Sequence, residues 1–147
     1  MKTLWSEDVR GELHARLDRL TPDTQAKWGE MTAREMVAHL VEGMRMGTGH
    51  FPTKPRRAFT RRWPFKPLFI WLVPMTRGIP APARELVTRG REIDFDQARA
   101  AIHQMLDDFP RHADPWPEHP YFGALNGREW GRIGYKHADH HLRQFGV

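Results

Sequence analysis

The sequence predicts an all-α protein, a four-helix bundle with one long connection. Four segments carry apolar residues at helical spacing. Three of these open on a similar capping signature, and none shows strand alternation at useful length. The first segment runs from about Ser6 to Leu20, with Ser6 as N-cap, Glu7 and Asp8 in the first turn, and Leu20-Thr21-Pro22 ending it. Its apolar stripe is Val9, Leu13, Leu17 and Leu20. The second runs from Thr32 to about Gly47, where Thr32 and Glu35 make a capping-box pattern and Met36, Leu40, Gly43, Met44 and Gly47 make the inner face. The third begins at Asp94, with Gln97 completing a similar box, and ends at Phe109 before Pro110; its stripe is Ala98, Ala101, Ile102, Met105 and Phe109. The fourth opens at Asn126 with Glu129 three residues on and runs nearly to the end, along Trp130, Ile133, Gly134, Ala138, Leu142 and Phe145.

At 147 residues the chain is expected to form a single domain spanning 1–147. No apolar run approaches the ~20 residues of a membrane span, and the N-terminal segment lacks the apolar region of a signal peptide. A cytoplasmic protein with no membrane partner is the expectation. The absence of cysteine excludes disulfides, a protein thiolate nucleophile and a zinc–cysteine site. A metal would therefore be held by His, Asp or Glu, and the chain has nine histidines. Its formal charge of +5 suits an anionic partner but is common in ordinary enzymes and decides little.

The connection from Thr48 to Ile93 is proline-rich and partly helical in character. Its first part mixes Lys54, Arg56, Arg57, Arg61, Arg62 and Lys66 with Phe51, Phe59, Trp63 and Phe65. The stretch PLFIWLVP follows, long enough for one or two turns packed over the bundle, while prolines at 64, 67, 74, 80 and 82 forbid a long regular helix. This connection is expected to close over one mouth of the bundle as a lid. The basic residues would attract a carboxylate-bearing ligand; a solvated basic loop is the competing reading. Nucleic-acid binding is not expected, because the cations sit on one connection and no reading motif accompanies them. The second connection is expected to pack by Trp116, Tyr121 and Phe122.

The chemistry concentrates in the last helix. His137 and His141 are one turn apart on one face, with Cβ atoms about 5–6 Å apart, a workable spacing for two imidazoles to share a metal. They fall in or beside the apolar stripe, whereas His140 falls on its flank. Burying two adjacent imidazoles without a partner is costly. Spacing alone leaves two readings open, a metal pair or a hydrogen-bonded pair. A third ligand would come from His39 in the second helix or, more weakly, His103 in the third. His14 reads as a surface residue, and His50, His112 and His119 as loop residues with exposed or turn-capping roles. Glu42 and Asp139 are candidates to orient the ligands, with surface roles as the alternative. An all-nitrogen set with open positions suits catalysis by zinc or nickel, with iron or manganese as alternatives.

The fragments WGEMTAREMVAHLVEGMRMG and HPYFGALNGREWGRIGYKHADHHLRQFGV together resemble the DinB-like superfamily, the DinB/YfiT-like metalloenzymes, and most closely a branch of unknown function with this type of tail. The resemblance implies an up-down-down-up four-helix bundle with a metal site at one end. It also implies ligands from one histidine of the second helix and an H-x-x-x-H pair of the last, here His39, His137 and His141. Relatives include S-transferases that use a low-molecular-weight thiol such as mycothiol or bacillithiol, a maleylpyruvate isomerase, and metal-dependent hydrolases. The function so implied is a divalent-metal-dependent enzyme of small molecules, a thiol-dependent S-transferase or hydrolase; a non-catalytic binding bundle is the alternative. Relatives often pair through bundle faces, so a homodimer is compatible with the resemblance.

Overall fold

A computed structural model describes residues 1–78, 80–81 and 84–147; the proline expected to interrupt the connection at 82 lies outside the described residues. Every regular element among them is helical, and the sole extended pairing is an isolated bridge between His119 and Gly123. Four long helices carry the structure: α1 (Glu7–Asp18), α2 (Ala33–Gly47), α4 (Phe95–Asp108) and α5 (Gly127–Gln144). A single turn, α3 (Phe65–Pro67), lies in the long connection. Packing pairs α2 with α4 and α5, and α1 with α4 and α5, so each long helix touches two others.

The starts of these helices follow the chain's local chemistry. Thr32 and Asn126 each accept from the backbone N–H three residues on, and Glu35 and Glu129 reach back to the cap, so both boxes are complete. Asp94 accepts from Gln97 N–H without a reciprocal bond. Ser6 occupies the N-cap of α1 but its hydroxyl makes no capping bond; Glu7 and Asp8 in the first turn complement the helix dipole instead.

The expected stripes of α1 and α5 are the buried ones, with Leu13, Leu17, Trp130 and Leu142 among the residues in the core. On α4 the buried face is rotated. Phe95, Ile102, Leu106 and Phe109 are buried, whereas Ala98 and Met105 pack at its edge. The larger side chains remove more apolar area from water, so that face wins.

The long connection is ordered at both ends by specific anchors. After α3 the chain makes one π turn, Leu68–Leu72, and seats Ile70 fully in the core. Phe69 and Trp71 are partly covered, while Leu72 stays 70% exposed, so the expected turn packs over the bundle by one face only. A turn this short has only one inward face. Lys136 of α5 donates to the carbonyls of Phe69, Ile70 and Val73, which satisfies the turn's free acceptors. At the far end, Thr88 Oγ1 donates to the Glu35 carbonyl and Gly90 N–H to the Glu35 carboxylate. The short 3-10 turn Arg84–Leu86 is thereby held against α2.

Candidate metal centre

His39 lies in the middle of α2, and His137 and His141 lie one turn apart on α5. Where these helices pack together, the three rings form a near-equilateral triangle. Centroid separations are 4.8 Å for His39–His137, 4.7 Å for His39–His141 and 4.8 Å for His137–His141. Interplanar angles of 64°, 73° and 89° turn the rings edge to face. One nitrogen from each residue lies within 4.8 Å of the others.

Hydrogen bonds outside the triangle fix which nitrogen points in. His39 Nδ1 lies 2.7 Å from the Leu86 carbonyl oxygen. A carbonyl only accepts, so Nδ1 carries the proton and Nε2 a lone pair. His141 Nδ1 lies 2.8 Å from Gln144 Oε1, and Gln144 donates its amide N–H to the Trp28 carbonyl at 2.8 Å. That second bond orients the amide with its oxygen toward the imidazole, so His141 is also an Nδ1–H tautomer with a free Nε2. Gly29, at φ 79°, lets the Trp28 segment pass close by, since a Cβ there would lie 2.5 Å from the Gln144 amide nitrogen.

His137 is placed by a gap in the opposite helix. A Cβ at Gly43 would stand 2.8 Å from its Cε1 and 2.9 Å from its Nδ1, so only glycine leaves room for the ring. His137 Nε2 comes within 2.8 Å of His39 Nε2. A tetrahedral zinc with Zn–N bonds of about 2.0–2.1 Å would set its nitrogens roughly 3.3–3.4 Å apart. The pair needs only a small outward adjustment to accept such an ion.

Electrostatics favour the neutral, ligating form of all three. Burial pushes the His39 pKa down, and it holds His137 well below the ordinary imidazole value, helped by repulsion from His39 and His141. His141 falls to about 3, again chiefly through burial. Three neutral imidazoles, two with their lone pairs directed inward, form a donor set that suits zinc or a neighbouring first-row ion. The residues fit the group.

The other candidates separate clearly. His103 lies on α4 against His14, away from the triangle. His140 stands edge-on to His141 and to Trp28 at the flank. Asp139 pairs with Arg16 and Arg143, and Glu42 with Arg45, so neither orients a ligand. Those positions are filled by Leu86 and Gln144. Gln144 follows His141 by three residues on the same helical face, a usable sequence signal; a backbone carbonyl delivered by a loop has none.

Of the two loop roles expected for His119, exposed or turn-capping, the structure shows the second. It is buried against Phe122 and Trp130, caps a turn by accepting from Tyr121 N–H, and burial lowers its pKa to about 3. In the basic segment, Arg61 donates to the carbonyls of His119 and Pro120, and Lys66 to that of Ala124. Both therefore brace the loops.

The fold and this triad define a helical protein with a largely covered trio of histidines between two helices. By sequence it belongs to a family described as proteins of unknown function (DUF1569), whose profile matches residues 7–146. No curated protein and no solved structure matches the chain.

Two substitutions test the geometry. Gln144→Leu removes the acceptor that fixes the His141 tautomer and should weaken zinc binding about 10–100-fold with the circular dichroism unchanged. Gly43→Ala should displace the His137 ring and lower affinity by a similar factor. Acid stability is a second test. The unfolded chain takes up protons at its histidines near pH ~6.5, whereas folded His119 and His141 resist until about 3. Stability of the metal-free protein should therefore be highest above that pH and fall steadily as pH drops toward 3. Urea midpoints across this range should show a shallower slope for His119→Gln.

Proposed function

We propose that the protein is a divalent-metal-dependent enzyme acting on small molecules, with His39, His137 and His141 as its metal ligands. The observation that carries this reading is the convergence of three neutral imidazoles, two of them locked as Nδ1–H tautomers by acceptors outside the cluster. A hydrogen-bonded histidine pair serving packing alone has no need of a third ring or of two independent orienting acceptors. Bound zinc or nickel, or iron or manganese in their place, would act as a Lewis acid and lower the pKa of a coordinated water or thiol. The chain supplies three ligands and leaves further positions for a substrate or for a low-molecular-weight thiol, the arrangement of catalytic rather than structural sites.

Helix directions support a DinB-like reading of the fold. Leu4 N–H bonds to the Gly131 carbonyl and Arg16 reaches Asp139, so α1 runs parallel to α5. Gly47 abuts Trp130 and Gly43 abuts His137, so α2 runs against α5. His14 meets Asp107 and His103 meets Asp18, so α4 runs against α1. An up-down-down-up four-helix bundle, with its long proline-rich connection between the second and third long helices, accounts for all three relations.

The partner in this reading is a small molecule, and neither a nucleic acid nor a membrane. No helix among the described residues is long and apolar enough to cross a membrane. Because Arg61 and Lys66 are committed to loop carbonyls, the basic segment offers an anion fewer cations than its composition suggests. A cytoplasmic location and a homodimeric state are compatible with the proposal.

Metal-loaded protein should be screened with low-molecular-weight thiols against alkylating electrophiles, and separately with ester and amide substrates. The expectation is turnover in one panel that disappears on chelation and in His39→Ala. Full metal loading with no turnover in either panel would instead support a non-catalytic metal or small-molecule binding role.

A further inference from the structure

A second histidine cluster lies between α1 and α4. His14 and Asp18 on α1, and His103 and Asp107 on α4, share the same His-x-x-x-Asp spacing, which puts each ring one turn from a carboxylate on its own helix. The helices cross antiparallel here, and the partners are exchanged. His14 Nε2 lies 2.9 Å from Asp107 Oδ1, and His103 Nε2 lies 3.1 Å from Asp18 Oδ1. An ionised carboxylate only accepts, so each imidazole carries a proton on Nε2, and in the neutral ring a lone pair is left on Nδ1.

Those two lone pairs face each other. The Nδ1 atoms are 2.5 Å apart, the rings are parallel within 10°, and their centroids are 4.8 Å apart. The centroid separation is accounted for by the gap plus the two ring radii, so the rings meet edge to edge. Such a contact is repulsive unless a positive species lies between the nitrogens. Each ring is also backed by a carboxylate on its far nitrogen, the arrangement that orients metal-ligating histidines and raises their basicity. The rings are mostly covered, with side chains 23% and 24% exposed, while Asp107 and Asp18 are 59% and 67% exposed. Each ring keeps part of its own surface open to solvent, the side from which an ion would arrive.

We propose that His14 and His103 form a second metal site, for a late first-row divalent ion such as zinc or copper, with Asp107 and Asp18 orienting the ligands. Imidazole donors suit these ions. A tetrahedral ion with bonds of about 2.0–2.1 Å sets two nitrogens roughly 3.3–3.4 Å apart, so the rings must part by about 0.8–0.9 Å, a movement that the exposed carboxylates can follow. The ion would cross-link α1 to α4, independently of the triad on α2 and α5.

The test is equilibrium dialysis of the full chain against Zn2+ or Cu2+ alone, read by elemental mass spectrometry. The His39→Ala/His141→Ala variant, which removes the first cluster, should still bind one ion per chain. Adding His14→Asn or His103→Asn should abolish that binding, and Asp18→Asn with Asp107→Asn should weaken it about 10–100-fold. If the double variant does not fold by circular dichroism, the comparison moves to the wild-type chain, where His14→Asn should lower the stoichiometry by one ion. Unchanged stoichiometry in His14→Asn would overturn the proposal. So would a strongly downfield imidazole proton shared by His14 and His103 that persists in excess metal, because a proton would then be the occupant.

Discussion

The structure turns on the problem of placing three imidazoles side by side in an apolar interior. Burial disfavours the charged form of each, reinforced by repulsion from the neighbouring rings at His137 and His141, so each is held neutral, with one N–H to satisfy and one lone pair to direct. The Leu86 carbonyl takes the proton side of His39, and the Gln144 amide, itself held by Trp28, takes that of His141. What remains inside is the Nε2 lone pair of His39 and that of His141, with His137 Nε2 beside them. Much of the surrounding architecture serves this placement.

Several features otherwise without an evident purpose follow from it. The capping box of α2 sets the phase of His39, and its Glu35 also captures the chain at Thr88 and Gly90. That capture brings Leu86 to His39. Glycine at 43 gives His137 its space, and the positive φ at Gly29 lets Trp28 approach Gln144. The long connection is thus tied into the site at one end and onto α5 through Ile70 and Lys136 at the other.

How much of this was legible in the sequence depends on how local each signal is. The H-x-x-x-H pair and the capping boxes of α2 and α5 are local patterns, and the structure places them as read. His39 already ranked ahead of His103 from its place beside the inner stripe of the second helix; the resemblance singled it out, and packing brings it to the pair. Pairings between helices were hidden, since the His14–His103 contact depends on how α1 and α4 cross. The turn-capping role of His119 was legible but its burial was not, because its walls, Phe122 and Trp130, close only once the second connection folds back. On α4 two stripes overlapped in the sequence, and the face bearing Phe95 and Leu106 prevailed through its greater apolar area.

The central claim is that His39, His137 and His141 act together as one metal site. Elemental mass spectrometry of the tag-free chain after zinc or nickel reconstitution tests it most directly, with single alanine variants of each residue in parallel and His14→Asn present throughout to silence the second cluster. The account predicts one ion per chain in the parent and none in any of the three variants, all with helical content retained. No metal in the reconstituted parent, or metal undiminished in all three variants, would contradict it and leave a histidine-lined core held by hydrogen bonds alone.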